Sequence, residues 1–121
     1  MKMKMKITKE FSPELVNKIT DGIMENFPEA SGGCALTCVN WKYADCIFKF
    51  RDGESGKSYQ VGRNDLNKAF PKMFTDKWPK RCTTPKLSDN WDDWNDWLCQ
   101  ADAQDFDAFA QLACLGEVIY G

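Results

Sequence analysis

Leu15, Ile19, Ile23 and Phe27 recur every four residues, a spacing that commits the start of this chain to an amphipathic helix. Val16 and Met24 flank the stripe and widen it. Ser12-Pro13-Glu14 precedes it, and each residue suits a helix start: serine caps free N–H groups, proline gives up an N–H that would be unbonded anyway, and glutamate complements the dipole. Pro28 is expected to end the helix.

The period then changes from four to two. Cys46, Phe48 and Phe50 alternate with Ile47, Lys49 and Arg51, the pattern of a strand with one buried and one wet face. Cys34 to Val39 reads as the strand before it, across a polar turn from Asn40 to Asp45, and Tyr59 with Val61 indicates a third. Lys2 to Thr8, where Met or Ile alternates with Lys, predicts a further edge strand whose lysines discourage sheet-to-sheet aggregation.

Helical spacing returns at Asn64 or Asp65, with Leu66, Ala69, Phe70, Met73 and Phe74 inward and Pro71 dividing the segment. A loop is expected from Trp78-Pro79 to Pro85. Ser88 or Asp89 is then placed to cap a short helix carrying Trp91, Trp94 and Leu98. Asp102 caps a last helix running towards Tyr120, with Phe106, Phe109 and Ala113 on one face and Leu112, Leu115 and Ile119 widening it. The order of periods predicts an α+β fold: a small antiparallel sheet of three to four strands packed against a long N-terminal helix and a C-terminal set of helices.

At 121 residues, 1–121 fits a single domain, and eight Phe, five Trp and three Tyr supply a sizeable core. No apolar h-region follows the basic Met1 to Ile7 and no apolar run reaches about 20 residues, so neither a signal peptide nor a membrane span is expected. The expected compartment is the cytoplasm. There Cys34, Cys38, Cys46, Cys82, Cys99 and Cys114 would be reduced thiols, mostly small buried hydrophobes.

Two motifs suggest chemistry and fail on inspection. Gly53-Glu54-Ser55-Gly56-Lys57-Ser58 matches the end of a phosphate-binding loop, but Arg51 stands where that loop needs glycine, and strand rather than helix follows. A polar hairpin turn explains the same glycines. Cys34-x-x-x-Cys38 could begin a thiolate metal site, yet there is no Cys-x-x-Cys pair and no histidine in the chain. No cofactor is expected. Without histidine, Ser-His and Cys-His catalysis is also excluded; a carboxylate enzyme, or one using Cys34 or Cys38, has no supporting constellation.

Charge is the remaining signal. All 16 Lys and Arg lie between Lys2 and Lys86 beside 10 acids, whereas Leu87 to Gly121 holds eight acids and no base. Such asymmetry points to charged partners, unless the two parts neutralise each other. On a helical wheel Trp91, Trp94 and Leu98 share one arc, Asp89, Asp92, Asp93 and Asp96 the opposite one, and Trp97 lies near the boundary. Asp89, Asp93 and Asp96 stand at i, i+4 and i+7, where like charges cost a helix a few tenths of a kcal/mol per pair. Asp102, Asp105 and Asp107 add to the region, with part of their charge suited to capping and the helix dipole. The candidate partner-binding set is therefore Asp89, Asp92, Asp93, Asp96, Trp97, Asp102, Asp105 and Asp107, with Trp97, Trp78 or Trp41 as aromatic anchors.

A short chain with an acidic, tryptophan-rich C-terminal part ending Leu115-Gly116-Glu117-Val118-Ile119-Tyr120-Gly121 resembles small proteins carried by phages and mobile elements, anti-CRISPR inhibitors among them. The resemblance implies binding to a host or rival macromolecule without catalysis. The leading expectation is a non-enzymatic inhibitor whose carboxylates stand in for phosphates on a basic, nucleic-acid-handling protein. A cytosolic immunity protein or antitoxin against a nuclease toxin is the alternative. A second class is direct nucleic-acid binding through Lys2, Lys4, Lys6, Lys49, Arg51, Lys57 and Arg63 with Tyr59 as a stacking ring, against which the net charge of -2 argues.

Overall fold

A serine oxygen, a proline and a four-residue apolar repeat start the first helix where the sequence places it. The computed structural model describes residues 11–30 and 35–120; the strand expected over Lys2 to Thr8, the Ser31-Gly32-Gly33 loop and Cys34 lie outside them. Helix α1 spans Pro13–Ala30, and Ser12 Oγ accepts the Leu15 N–H at 3.1 Å. Ile19, Ile23, Met24 and Phe27 are buried along its inner side.

The helix does not stop at Pro28 but runs two residues further. Proline cannot donate to the carbonyl four residues back, here that of Met24. The Tyr43 hydroxyl donates to that carbonyl instead, at 3.1 Å, so the acceptor stranded by the proline is satisfied from another element.

Three antiparallel strands follow in the order β1 (Leu36–Lys42), β2 (Ile47–Asp52) and β3 (Ser58–Val61). Phe48 and Phe50 with Leu36, Cys38 and Val61 form the buried face; Thr37, Lys49, Arg51, Ser58 and Gln60 form the exposed one. The register shifts between Cys38 and Asn40, making Val39 a bulge. β1 continues to Lys42, beyond the expected end at Val39, and the turn shrinks to a 3₁₀ segment over Tyr43–Asp45. The Gly53-to-Ser58 motif is a hairpin turn: Asp52 Oδ1 accepts the N–H groups of Glu54 and Ser55, and Gly56 takes φ +77°.

Helix α2 (Arg63–Ala69) passes at Pro71 into a 3₁₀ segment over Phe70–Phe74, so the proline divides the segment as expected. Helix α3 spans Trp91–Gln100. Its cap is Asn90 rather than Ser88 or Asp89, because Asn90 Oδ1 accepts the Asp92 N–H at 2.8 Å. Ser88 instead braces the approach, accepting the Asn90 N–H and donating to Asp93. Helix α4 (Ala103–Leu115) is capped by Asp102 and ends earlier than expected, at Gly116, whose φ of +83° turns the chain away.

The helices pack on the inner face of the sheet. Phe27 meets Phe50 edge-on at 5.0 Å, and α4 lies against β1 and β3. α3 packs on α1, where a Cβ on Gly22 would stand 2.8 Å from Leu98 Cδ1, and its Trp94 ring meets Phe70 and Phe74. The result is an α+β fold: an N-terminal helix, a three-stranded antiparallel sheet and C-terminal helices packed against it. Among the described residues no helix is long and apolar enough to cross a membrane.

Candidate functional site

Burial divides the eight candidate residues. Asp105 is 1% exposed: one carboxylate oxygen accepts the Thr83 N–H at 2.7 Å and the other the Asp102 N–H at 3.0 Å. Asp107 is 8% exposed and joins the Leu36 N–H of β1, at 3.0 Å, to the Gln111 side chain, at 2.9 Å. Both therefore leave the proposed surface, because each carboxylate is occupied by the donors of a buried junction. Asp102 is exposed, but its Oδ1 accepts the Gln104 and Asp105 N–H groups and caps α4.

The tryptophans move inward too. Trp97 is 5% exposed and Trp78 6%, and both indole N–H groups donate to the Thr83 carbonyl. Neither can serve as a surface anchor. Trp94 donates its indole N–H to the Ser88 carbonyl at 2.7 Å. Three indoles thus tie α3 and the loop before it to the core, while Trp91 is half-buried beneath the Lys18 ammonium, 4.5 Å from the ring centroid.

What remains on the outside is a shorter row. Asp89, Asp92 and Asp96 are exposed, and Asp93 is half-buried. Asp92 and Asp93 occupy the first turn of α3, where the dipole favours them. Asp96 lies beyond that turn, one helical turn from Asp92, and gains no such support. Beside the row lies a polar cavity of about 170 Å³ lined by Thr84, Lys86, Asp93, Asp96, Trp97 and Gln100. Lys86 brings one positive charge next to two of the acids.

No family model, curated protein or solved structure matches this chain. The functional reading therefore rests on the geometry.

The basic set divides as well. Lys49 and Arg51 share the exposed face of the sheet, and Lys57 lies in the adjoining turn. Arg63 is engaged, paired with Asp21 at 2.8 Å and donating to Asn17 and Thr20. Tyr59 is half-buried opposite Phe50, on the other face from Lys49, so it is not a stacking ring for these lysines. Trp41 is exposed, at 42%, and borders a groove of about 230 Å³ with Asn40, Lys42, Ile47, Lys49 and Gln60. The outward positions of Ile47, Lys49 and Arg51 were visible in the alternation of β2. Their neighbours on β1 and β3 required the register.

Two further features were not foreseen. The chain after α4 folds back: Gln111 Oε1 accepts the Ile119 and Tyr120 N–H groups, and Arg81 donates to the Tyr120 carbonyl. The Tyr120 hydroxyl then donates to Asp52 at 2.7 Å. That bond, aided by the turn N–H groups, holds the Asp52 carboxyl below its ordinary value, and it pushes the tyrosine up to about 12. Second, four of the thiols are held in the protonated form. Burial raises Cys38 and Cys46, and burial with neighbouring carboxylates takes Cys82 and Cys114 up to about 12, so none of the four is a thiolate near neutral pH. Among the described residues no three His, Cys, Asp or Glu side chains gather as a metal would require.

Proposed function

We propose that this chain is a non-enzymatic inhibitor that docks the outer face of α3 on a basic, nucleic-acid-handling protein. The observation that carries this reading is the exposure of Asp92 and Asp96 on successive turns of a helix whose inner side is locked by Trp94 and Trp97. Carboxylates on successive turns stand about 5–6 Å apart, a spacing of the order of phosphates along a strand. A rigid row loses little freedom on binding. Asp96 supports the reading further, since it has neither a cap nor a dipole to explain it, whereas Asp102, Asp105 and Asp107 have structural partners. The same surface would serve a nucleic-acid-guided nuclease or a nuclease toxin as target.

The test is calorimetric titration of basic nucleases of both kinds, with a basic protein lacking a nucleic-acid site as control. The expected complex weakens at roughly 0.3 M salt, is displaced by duplex DNA, and loses about tenfold or more in affinity in the Asp92→Lys/Asp96→Lys variant. Binding that survives both substitutions and salt would count against the acidic face.

A further inference from the structure

The segment after α4 is held as a receptor holds a peptide, by side chains that read its main chain. Gln111 Oε1 accepts the Ile119 and Tyr120 N–H groups at 2.9 and 3.0 Å, and the Tyr120 carbonyl accepts from Gln111 Nε2 at 3.3 Å and from Arg81 at 3.1 Å. One side chain is read as well. The Tyr120 hydroxyl donates at 2.7 Å to Asp52, the last residue of β2, which is 1% exposed.

A segment kept only to close a core buries its apolar side chains against other apolar ones. This one does little of that. Ile119 is 55% exposed, Glu117 is exposed, and Val118 supplies the apolar contact with the core. The groups that the segment bonds, the Asp52 carboxylate and the Gln111 amide, are polar, so water can take its place on them without an unmet hydrogen bond.

We propose that Asp52, Arg81 and Gln111 form a binding site for a short peptide bearing tyrosine, which the chain's own residues 117–120 occupy in cis. The chemistry of the three side chains sets the ligand class. A side-chain amide offers an acceptor beside a donor, the complement of main-chain N–H and C=O groups in any sequence. Asp52 then selects. Its Oδ1 already accepts the Glu54 and Ser55 N–H groups, and its Oδ2 is the atom that takes the hydroxyl. A phenylalanine in that place leaves the carboxylate oxygen without its donor, and an acidic side chain sets two carboxylates together. None of the three residues belongs to the acidic row of α3, so the site is independent of that surface.

The test uses the full chain, isotopically labelled for NMR, and an unlabelled peptide Glu-Val-Ile-Tyr-Gly blocked at both ends. The tethered segment competes at an effective concentration of order millimolar, so the natural chain should take the peptide weakly. Tyr120→Phe weakens the tethered ligand and should admit the peptide about tenfold more tightly, with the amide signals of residues 119 and 120 moving saturably as they are displaced. A peptide with phenylalanine in place of tyrosine should bind that variant about tenfold more weakly than the tyrosine peptide does. In the natural chain without peptide, the Ile119 and Tyr120 amides should exchange with deuterium well before those of the buried Phe109 and Leu112, which marks release of the segment from a folded protein. Three outcomes would overturn the proposal: exchange of the Ile119 and Tyr120 amides only at the rate of global unfolding, no saturable displacement in Tyr120→Phe, or equal affinity of that variant for the two peptides. The exchange measurement needs no substitution, so it stands whatever the stability of the variant.

Discussion

At the scale of single residues, the acids of the C-terminal third do two unlike jobs. Asp107 satisfies the Leu36 N–H and the Gln111 amide inside the protein, so Asp107→Ala leaves the Leu36 N–H without an acceptor and the Gln111 amide with the Tyr120 carbonyl alone. A loss of about 2–4 kcal/mol is expected in urea unfolding. Asp96→Asn, by contrast, removes an exposed charge one turn from another and should change stability by less than about 0.5 kcal/mol. A comparable loss in both variants would show that α3's acids are structural as well. Asp102 was readable as a cap because its partners, Gln104 and Asp105, lie two and three residues on. Asp105 and Asp107 were not, since Thr83 and Leu36 lie 22 and 71 residues away. The Tyr120–Asp52 bond makes a pH-dependent prediction. Asp52, held low, contributes stability above about pH 4 that is lost as pH falls through its lowered value. Tyr120, raised, contributes stability fully present below about pH 10 that is lost as pH climbs towards about 12. Tyr120→Phe should therefore flatten the alkaline limb of the stability curve, and a wild-type limb no steeper than the variant's would remove the assignment.

At the scale of elements, local signals located starts better than ends. The Ser12 cap and the alternation around Phe48 and Phe50 depend on neighbours in sequence, and both α1 and β2 begin close to where those signals put them. The end of α1 depends on Tyr43, which no local pattern connects to Pro28. Likewise the third Trp of α3 turned inward because the Thr83 carbonyl receives it, a contact across 14 residues of loop and helix. The α1 ending can be tested by a double-mutant cycle. Tyr43→Phe should cost about 1 kcal/mol in the natural chain, where the Met24 carbonyl has no proline N–H to fall back on. In a Pro28→Ala background the new N–H can bond that carbonyl, and the same substitution should cost measurably less. Equal costs in the two backgrounds would mean that the hydroxyl does not stand in for the N–H that Pro28 lacks.

At the scale of the whole molecule, the charge asymmetry of the sequence becomes a separation in space. The acidic row lies on α3, which packs on α1, while Lys42, Lys49 and Arg51 face outward from a sheet whose other side carries the helices. For a domain of this length the radius of gyration is about 14 Å. Salt then decides whether the two surfaces sense each other. The screening length is about 30 Å at 0.01 M ionic strength, comparable to the span of the molecule, and about 8 Å at 0.15 M, well short of it. Neutralising α3 with Asp92→Asn/Asp96→Asn should therefore tighten the weak adsorption of labelled polyglutamate on the outward Lys42, Lys49 and Arg51 about two- to threefold at the lower ionic strength and leave it unchanged at the higher. Anisotropy titrations at both salts provide the measurement. An equal gain at both would mean that the acids act on the groove through contact or conformation, and the two faces would then form one site.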